Sequence, residues 1–224
     1  MNEIVKSLKA LDGKYRYDQI FFDWVHVMAY VFSNIADFNH FDEREKEYFK
    51  IKKKYDERTM DVFVECMAIL IDLFEKEGIS DYLGTIYHLL NSHNSNKGQF
   101  FTPYALSLAS AETLIDKKFL EKTIAESGYV KIGENACGAG SMILAQLQVF
   151  NNFELNYQKT AKIECCDLDE NVLLMCYVQL SILGARATCY VGNALSKTVY
   201  SEWITPSEWI WRLRLFGQVP AANN

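Results

Sequence analysis

The feature that most constrains this sequence is a glycine-containing turn between a strand-like and a helix-like segment. Residues 129–133 are expected to form a strand, and an apolar run follows at residues 142–149. Between them, Gly138 and Gly140 allow a positive φ and a close approach of a ligand to the backbone. The helix that follows offers unpaired N–H groups. This order is typical of a parallel strand that leads into a helix around a nucleotide-like ligand, and a turn that binds nothing is the alternative.

Two further strand-like runs support a ligand at this turn. Residues 162–166 end in Asp167, and an acid at the end of a second parallel strand can accept both hydroxyls of a ribose. Asp167 lies further from the glycines than the roughly 20 residues of the dinucleotide fingerprint, and a third glycine is missing, which argues against a nicotinamide or flavin cofactor. Residues 187–191 predict a third strand, and Asn193 after it is able to hydrogen-bond a base edge.

A segment upstream of the glycines predicts a second wall of the same site. Residues 97–103 are expected to open a helix, with Thr102 as the N-cap and Pro103 at the first helical position. The simple interpretation is a well-capped helix. Phe100 and Phe101 are unusually apolar for a loop, however, and a ligand wall explains them.

These segments, in this order, resemble the N6-adenine DNA methyltransferases, and in particular the modification subunit of type I restriction-modification systems. The likeness spans roughly residues 79–195 and is carried by residues 98–103, 134–140, 167–169 and 192–195, with residues 80–90 similar to the helix before the first motif. It implies an α/β, Rossmann-like S-adenosylmethionine-dependent methyltransferase core with a partial parallel sheet and an α-helical N-terminal region. It also implies S-adenosylmethionine as the cofactor and adenine-N6 in DNA as the target.

The resemblance assigns cofactor-binding roles by position. It gives Glu134 the methionine ammonium and Asp167 the ribose, and it gives Asn193 the adenine amino group; an acid, a bidentate acceptor and an amide suit these groups. Asn135 stands where the family usually has proline, and Asn193 where aspartate is commoner. The remaining assignments are Phe101 and Thr102 to the pocket wall, Ala136, Gly138 and Gly140 to the loop beneath the cofactor, and Leu168 to the face of the adenine.

A catalytic motif expected from the resemblance is missing. Members of the family carry an Asn or Asp, two prolines and an aromatic residue after the fourth strand, where they grip the flipped adenine. The only prolines here are Pro103, Pro206 and Pro220, and none is adjacent to another. No catalytic residue is therefore assigned, and the chain is interpreted as truncated before that motif. A small-molecule methyltransferase is disfavoured by residues 98–103.

Composition limits the compartment and the metal chemistry. Of 224 residues, 50% are hydrophobic, enough for a sizeable core. The charged residues among the first twenty argue against a signal peptide, and acids interrupt the most apolar window, residues 60–74, which is too short for a bilayer. The six cysteines form no Cys-x-x-Cys pair, and neighbouring Cys165 and Cys166 would point to opposite faces of a strand. Reduced thiols, a cytoplasmic location and no metal site are predicted.

The charge pattern bears on partners. The formal net charge is −6, whereas proteins that hold DNA alone usually present a basic face. Lysines cluster only at residues 50–54, inside a stretch (residues 43–58) that alternates acids and bases and predicts a solvated, ion-paired helix more than a phosphate track. DNA binding by the chain alone is predicted to be weak and to depend on a specificity subunit or on a catalytic half supplied by another chain.

The periodicity divides the chain in two. Residues 1–92 are predicted to be an α-helical region, and residues 93–224 the methyltransferase-like core with a tail; residues 151–160 are expected to be a loop. For the tail, an added strand covering the open edge of the first strand and a helix docked by its tryptophans are equally favoured. The predicted buried stripes of the helical region are Ile20, Trp24, Val27, Val31 and Ile35, and Val62, Cys66, Ile69 and Leu73.

Overall fold

The computed structural model describes residues 1–11, 15–91 and 101–215, which form helices around one sheet. The helices that precede the sheet are α1 (Asn2–Lys9), α2 (Tyr17–Asn34), α3 (Phe41–Lys52), α4 (Glu57–Glu77), α5 (Tyr82–Asn91), α6 (Tyr104–Leu114) and α7 (Lys117–Ser127). The remaining elements are the four strands and the helices that follow the first of them: β1 (Val130–Glu134), α8 (Ser141–Asn152), α9 (Tyr157–Thr160), β2 (Ala161–Asp167), α10 (Glu170–Ile182), β3 (Ala187–Asn193), β4 (Thr198–Ile204) and α11 (Pro206–Leu215).

The sheet has the order β1-β2-β3-β4, with β1, β2 and β3 parallel and β4 antiparallel to β3. Helices α8 and α10 connect the parallel strands, which is the alternation that the sequence predicted. The predicted bounds of each of the three strands differ from the observed bounds by at most two residues. The predicted α/β core with a partial parallel sheet and an α-helical N-terminal region is confirmed.

The observed tail contradicts one of the two alternatives predicted for it and agrees with the other. Its strand, β4, pairs with β3 and not with β1, so the prediction that the tail covers the β1 edge is wrong. The reason is local: the chain reverses over residues 194–197, with Lys197 at a positive φ of 57°, and returns along the strand it has just left. The docked-helix alternative holds for α11. No described residue forms a strand on the outer edge of β1.

The N-terminal helices share their hydrophobic core with the sheet layer. Helix α2 packs on α10, and one buried cluster joins Ile4 and Trp24 to Ile163 and Leu173. The boundary between residues 92 and 93 remains a prediction. In α2, Ile20, Trp24 and Val27 are buried as predicted, but Val31 and Ile35 are exposed. At this end of the helix the buried positions are Tyr30 and Ser33 instead.

Three smaller expectations also change. In α4 the buried positions are Thr59, Phe63, Cys66, Leu70 and Phe74; Cys66 is buried as predicted, whereas Val62, Ile69 and Leu73 are half-buried beside these positions. The predicted solvated helix contains Arg44, which is buried, hydrogen-bonds Ser33 and Asp37, and stacks on Trp203. The predicted loop at residues 151–160 contains the end of α8 and the whole of α9, and Asn156 caps α9.

No described helix is long and apolar enough to span a membrane.

A buried ion-pair network fastens α11 to the sheet. Glu208, which is 2% exposed, receives hydrogen bonds from Arg186 and Arg212, and Arg186 also stacks on Trp211. We expect Glu208→Gln to lower the free energy of unfolding by about 3 kcal/mol, because it leaves buried guanidinium charge without its partner. Urea unfolding measures this. Glu126→Gln breaks an exposed pair with Lys122 and should cost less than about 1 kcal/mol; equal costs would contradict the argument.

Candidate cofactor site

The carboxyl ends of the three parallel strands meet at one edge of the sheet. The last residues of β1, β2 and β3 are Glu134, Asp167 and Asn193, so the three polar side chains that the sequence singled out as strand ends lie on the same side. The glycine turn between β1 and α8 lies at this edge as well. Ligands of open α/β sheets bind in the crevice outside these strand ends.

The carboxylate of Asp167 holds the glycine turn in place. The Gly138 N–H donates to Asp167 Oδ2 at 2.9 Å, and Asp167 Oδ1 accepts from the Asp169 N–H at 3.1 Å. The Cys137 N–H donates to the Cys166 carbonyl at 3.0 Å, which ties the turn to β2 a second time. Since each carboxylate oxygen accepts two hydrogen bonds, Asp167 keeps capacity for a pair of ligand hydroxyls.

Both glycines of the turn are required by the backbone and by their neighbours. Gly138 and Gly140 have φ of 55° and 98°. A Cβ at Gly138 would lie 3.4 Å from Cδ1 of Phe101, and one at Gly140 would lie 2.7 Å from Sγ of Cys176. Gly128, also at positive φ, has nothing within 4 Å of such a Cβ. The turn is therefore packed closely on both of its sides.

Phe101 lies beside the glycine turn, and the cap of the helix that follows differs from the prediction. Phe101 packs edge-on against Tyr87 and His88 at centroid distances of 5.5 and 5.4 Å, and it faces Gly138. Thr102 is exposed, and the expectation that it caps the helix is wrong. Helix α6 begins at Tyr104 after Pro103, whose ψ of 132° is extended, and no side chain caps it. Residues 98–100 lie outside the described residues.

The other residues predicted to bind the cofactor differ in their exposure and in their hydrogen bonds. Glu134 is partly buried and its Oε1 lies 3.4 Å from the N–H of exposed Ala136. Leu168 is 63% exposed directly after Asp167, so its side chain is accessible to a ligand. Asn193 Oδ1 accepts from the N–H groups of Leu195 and Ser196 at 3.0 and 3.2 Å. Because both lone pairs of that oxygen are used, a hydrogen bond to a base would have to be donated by Nδ2.

A residue that the sequence analysis missed, Gln179, connects the turn to the N-terminal helices. Its Nε2 donates to Asp81 Oδ1 at 3.0 Å and to the Ala139 carbonyl at 2.9 Å, and its Oε1 accepts from the Leu83 N–H at 3.1 Å. The side chain is fully buried. A single glutamine within an apolar helix was the signal, since a buried amide needs partners.

The start of α6 is tied to the start of α8. The hydroxyl groups of Ser107 and Ser141 lie 2.9 Å apart in a buried hydrogen bond. Since Ser141 directly follows Gly140, this bond holds the helix that carries the upstream wall against the end of the glycine turn. The site thus combines segments that are far apart in sequence.

The parallel sheet, the glycine turn and the acid at the end of β2 define a Rossmann-like methyltransferase core. The family model for the N-6 DNA methylases matches residues 79–207. That range is more than half of the chain, and the chain belongs to the N-6 DNA methylase family. The resemblance noted in the sequence is thereby confirmed at the level of the family.

Comparison with other proteins adds little to this assignment. No curated protein matches the chain significantly. Among solved structures, the chain is similar to a Listeria monocytogenes protein described as a class I S-adenosylmethionine-dependent methyltransferase, with 14% identity and a TM-score of 0.49. The match covers 90% of this chain and 57% of that one.

The carboxyl group of Asp81 provides a pH-dependent test of the network around the turn. Burial raises its pKa above the ordinary value of 3.8, although hydrogen bonds from Gln179 and Gly84 and the nearby His88 act the other way. Because the pKa of Asp81 is raised in the folded protein, ionisation of this carboxyl group destabilises the folded state. The stability that the protein has below pH 3.8 therefore decreases as pH rises through the pKa of Asp81 in the folded protein. Asp81→Asn keeps an oxygen for both N–H donors and cannot ionise.

We therefore expect the unfolding free energy of Asp81→Asn, relative to the wild type, to increase as pH rises from about 4. Urea unfolding at a series of pH values measures the difference. Asp116→Asn, which changes an exposed carboxylate capping α7, corrects for the loss of one negative charge. A difference that stays constant over the pH range would contradict the assignment of strain to the ionised Asp81.

Proposed function

We propose that this chain binds S-adenosylmethionine at the carboxyl edge of β1, β2 and β3 and serves as the cofactor-binding part of an adenine-N6 DNA methyltransferase. The observation that carries the proposal is the position of Asp167. Its carboxylate is anchored to the Gly138 N–H at 2.9 Å and still has acceptor capacity. Membership in the N-6 DNA methylase family supports the same cofactor.

The donor set suits the parts of this cofactor. The remaining lone pairs of Asp167 would accept the two ribose hydroxyls, and Glu134 at the end of β1 would pair with the methionine ammonium. Leu168, which is 63% exposed, would pack against the adenine. Nδ2 of Asn193 would donate to a ring nitrogen of the adenine, because Oδ1 is engaged in the turn.

The apolar residues of the site would close it around the ligand. Phe101 already lies against Gly138, and with Thr102 it would form the wall opposite Leu168. When bound, the cofactor supplies an electrophilic methyl group on a sulfonium. The protein's contribution at this edge is to bind and orient that group and to keep water from it. Glu134 and Asp167 provide the negative charge that suits a cation.

The chain lacks a recognisable means of holding the target base. Its 224 residues contain no Asn or Asp followed by two prolines and an aromatic residue, and the described chain after β3 forms β4 and α11 instead of a base-gripping loop. A flipped adenine needs a pocket that stacks on it and hydrogen-bonds its edge. We infer that residues outside this sequence, for example in a catalytic half or a specificity subunit, supply this pocket and most of the DNA contacts.

A non-catalytic role is the second candidate. The missing tetrapeptide also fits a cofactor-binding subunit or regulator of a restriction-modification system. The two candidates differ in one result: a partner chain that carries the motif restores methyl transfer if this chain is half of an enzyme, and does not if the chain only regulates.

Asp167→Ala tests the cofactor site. We expect the wild type to bind S-adenosylmethionine or S-adenosylhomocysteine in isothermal titration calorimetry. The variant should bind more weakly by about 1 to 3 kcal/mol, because a charged hydrogen-bond acceptor is lost. Glu164→Ala is the matched control, since it removes one negative charge from the same strand at a position whose side chain is half exposed.

The control separates the ribose contact from general charge. Glu164→Ala should bind like the wild type. Unchanged affinity in Asp167→Ala would show that the ribose binds elsewhere. No binding by the wild type would show that the glycine turn has only a structural role.

The purified chain alone should transfer no measurable methyl group to DNA. Transfer requires the adenine nitrogen to be aligned with the methyl group, and that positioning supplies much of the rate. Incubation with tritiated S-adenosylmethionine and mixed-sequence duplex DNA is the measurement. Binding to the same DNA, followed by fluorescence anisotropy, should be weak and should fall steeply with added salt, because the net charge is −6. Incorporation at adenine N6 by the chain alone would contradict this proposal.

A further inference from the structure

Four of the six cysteines meet in the core directly beneath the glycine turn. Cys137 lies in the turn, Cys165 on β2, Cys176 on α10 and Cys189 on β3. Their exposures are 6%, 1%, 0% and 0%, and all four are free thiols. The sequence analysis predicted no metal site because the cysteines are far apart along the chain. The fold brings them together.

The sulfur atoms are close enough to share one ion. Those of Cys137, Cys165 and Cys176 all lie within 4.8 Å of one another. Cys189 is the direct partner of Cys165 in the β2–β3 register, and its thiol adjoins those of Cys165 and Cys176. Three of the thiols therefore form one compact group, and the thiol of Cys189 lies beside two of them.

This arrangement matches the ligand set of a thiophilic metal ion. Zinc is bound tetrahedrally by thiolates at about 2.3 Å, which puts the sulfur atoms about 3.8 Å apart. The sulfur atoms of Cys137, Cys165 and Cys176, which lie within 4.8 Å of one another, need to approach by about 1 Å at most to reach that spacing. Soft thiolate ligands select Zn²⁺ and Cu⁺ over hard cations such as Mg²⁺ and Ca²⁺. Cys137, at 6%, is the most exposed of the four.

We propose that Cys137, Cys165, Cys176 and Cys189 bind one Zn²⁺ ion beneath the glycine turn. Each thiol that coordinates the ion releases its proton to solvent, and neither the metal nor sulfur changes oxidation state. The bound ion fastens the turn to β2, β3 and α10. The proposal uses none of the residues assigned to the cofactor, although Cys137 lies between two of them, so metal content can be measured without the cofactor.

Cysteine variants that differ only in position test the site. Protein produced in zinc-supplemented medium is gel-filtered, and its metal content is measured by mass spectrometry. We expect about one zinc per chain in the wild type and a loss of bound zinc in Cys165→Ala and Cys176→Ala. Cys166→Ala, one residue along β2, and Cys66→Ala, at a fully buried position in α4, should keep the wild-type content.

Cobalt binding gives a readout that needs no variant to fold. Co²⁺ added to the zinc-free wild type should produce a sulfur-to-cobalt charge-transfer band in the near ultraviolet and the visible bands of a tetrahedral site, and zinc should displace both. Removing zinc with a chelator should lower the melting temperature. The proposal is overturned if the wild type holds no more zinc than Cys176→Ala, if Cys166→Ala loses as much as Cys165→Ala, or if cobalt binds without the sulfur band.

Discussion

The side-chain amide of Gln179 makes hydrogen bonds to Asp81, to the Leu83 N–H and to the Ala139 carbonyl, and the candidate site depends on them. Each such bond contributes only about 1 kcal/mol net, but leaving a buried partner unpaired costs about 1 to 3 kcal/mol. The position of the glycine turn is therefore coupled to the start of α5. Residues that the cofactor never touches help to set the backbone that it would contact.

The same constraint explains why the helical region and the sheet are packed as one core. Helix α10 carries Gln179 on the side facing α5 and the turn, and α2 packs along it. Its Cys176 lies against Gly140 so closely that a Cβ there would be 2.7 Å from the sulfur. A displacement of α10 would move the turn through both contacts. Close packing of this kind transmits strain and does not absorb it.

Much of the site could be predicted from sequence because its signals are local. A strand, a glycine turn and an apolar helix in succession specify the first crossover, and Asp167 follows its own strand directly. The network around Gln179 and the cysteine group depend on contacts between distant residues, which periodicity does not report. Asn193 illustrates the limit: its type suggested a base contact, and its oxygen is used by the backbone of the next turn.

The glycine turn and the tail are held by different sets of contacts. The turn, Asp167 and Phe101 are held by bonds and contacts among α5, α8, α10 and β2, none of which involves β4 or α11. The tail is fixed through Thr205 to Ala187, through Glu208 to Arg186 and through Tyr177 of α10 to Ile204. Because the outer edge of β1 carries no strand from the described residues, a base pocket added there would lie on the far side of β1 from Asp167.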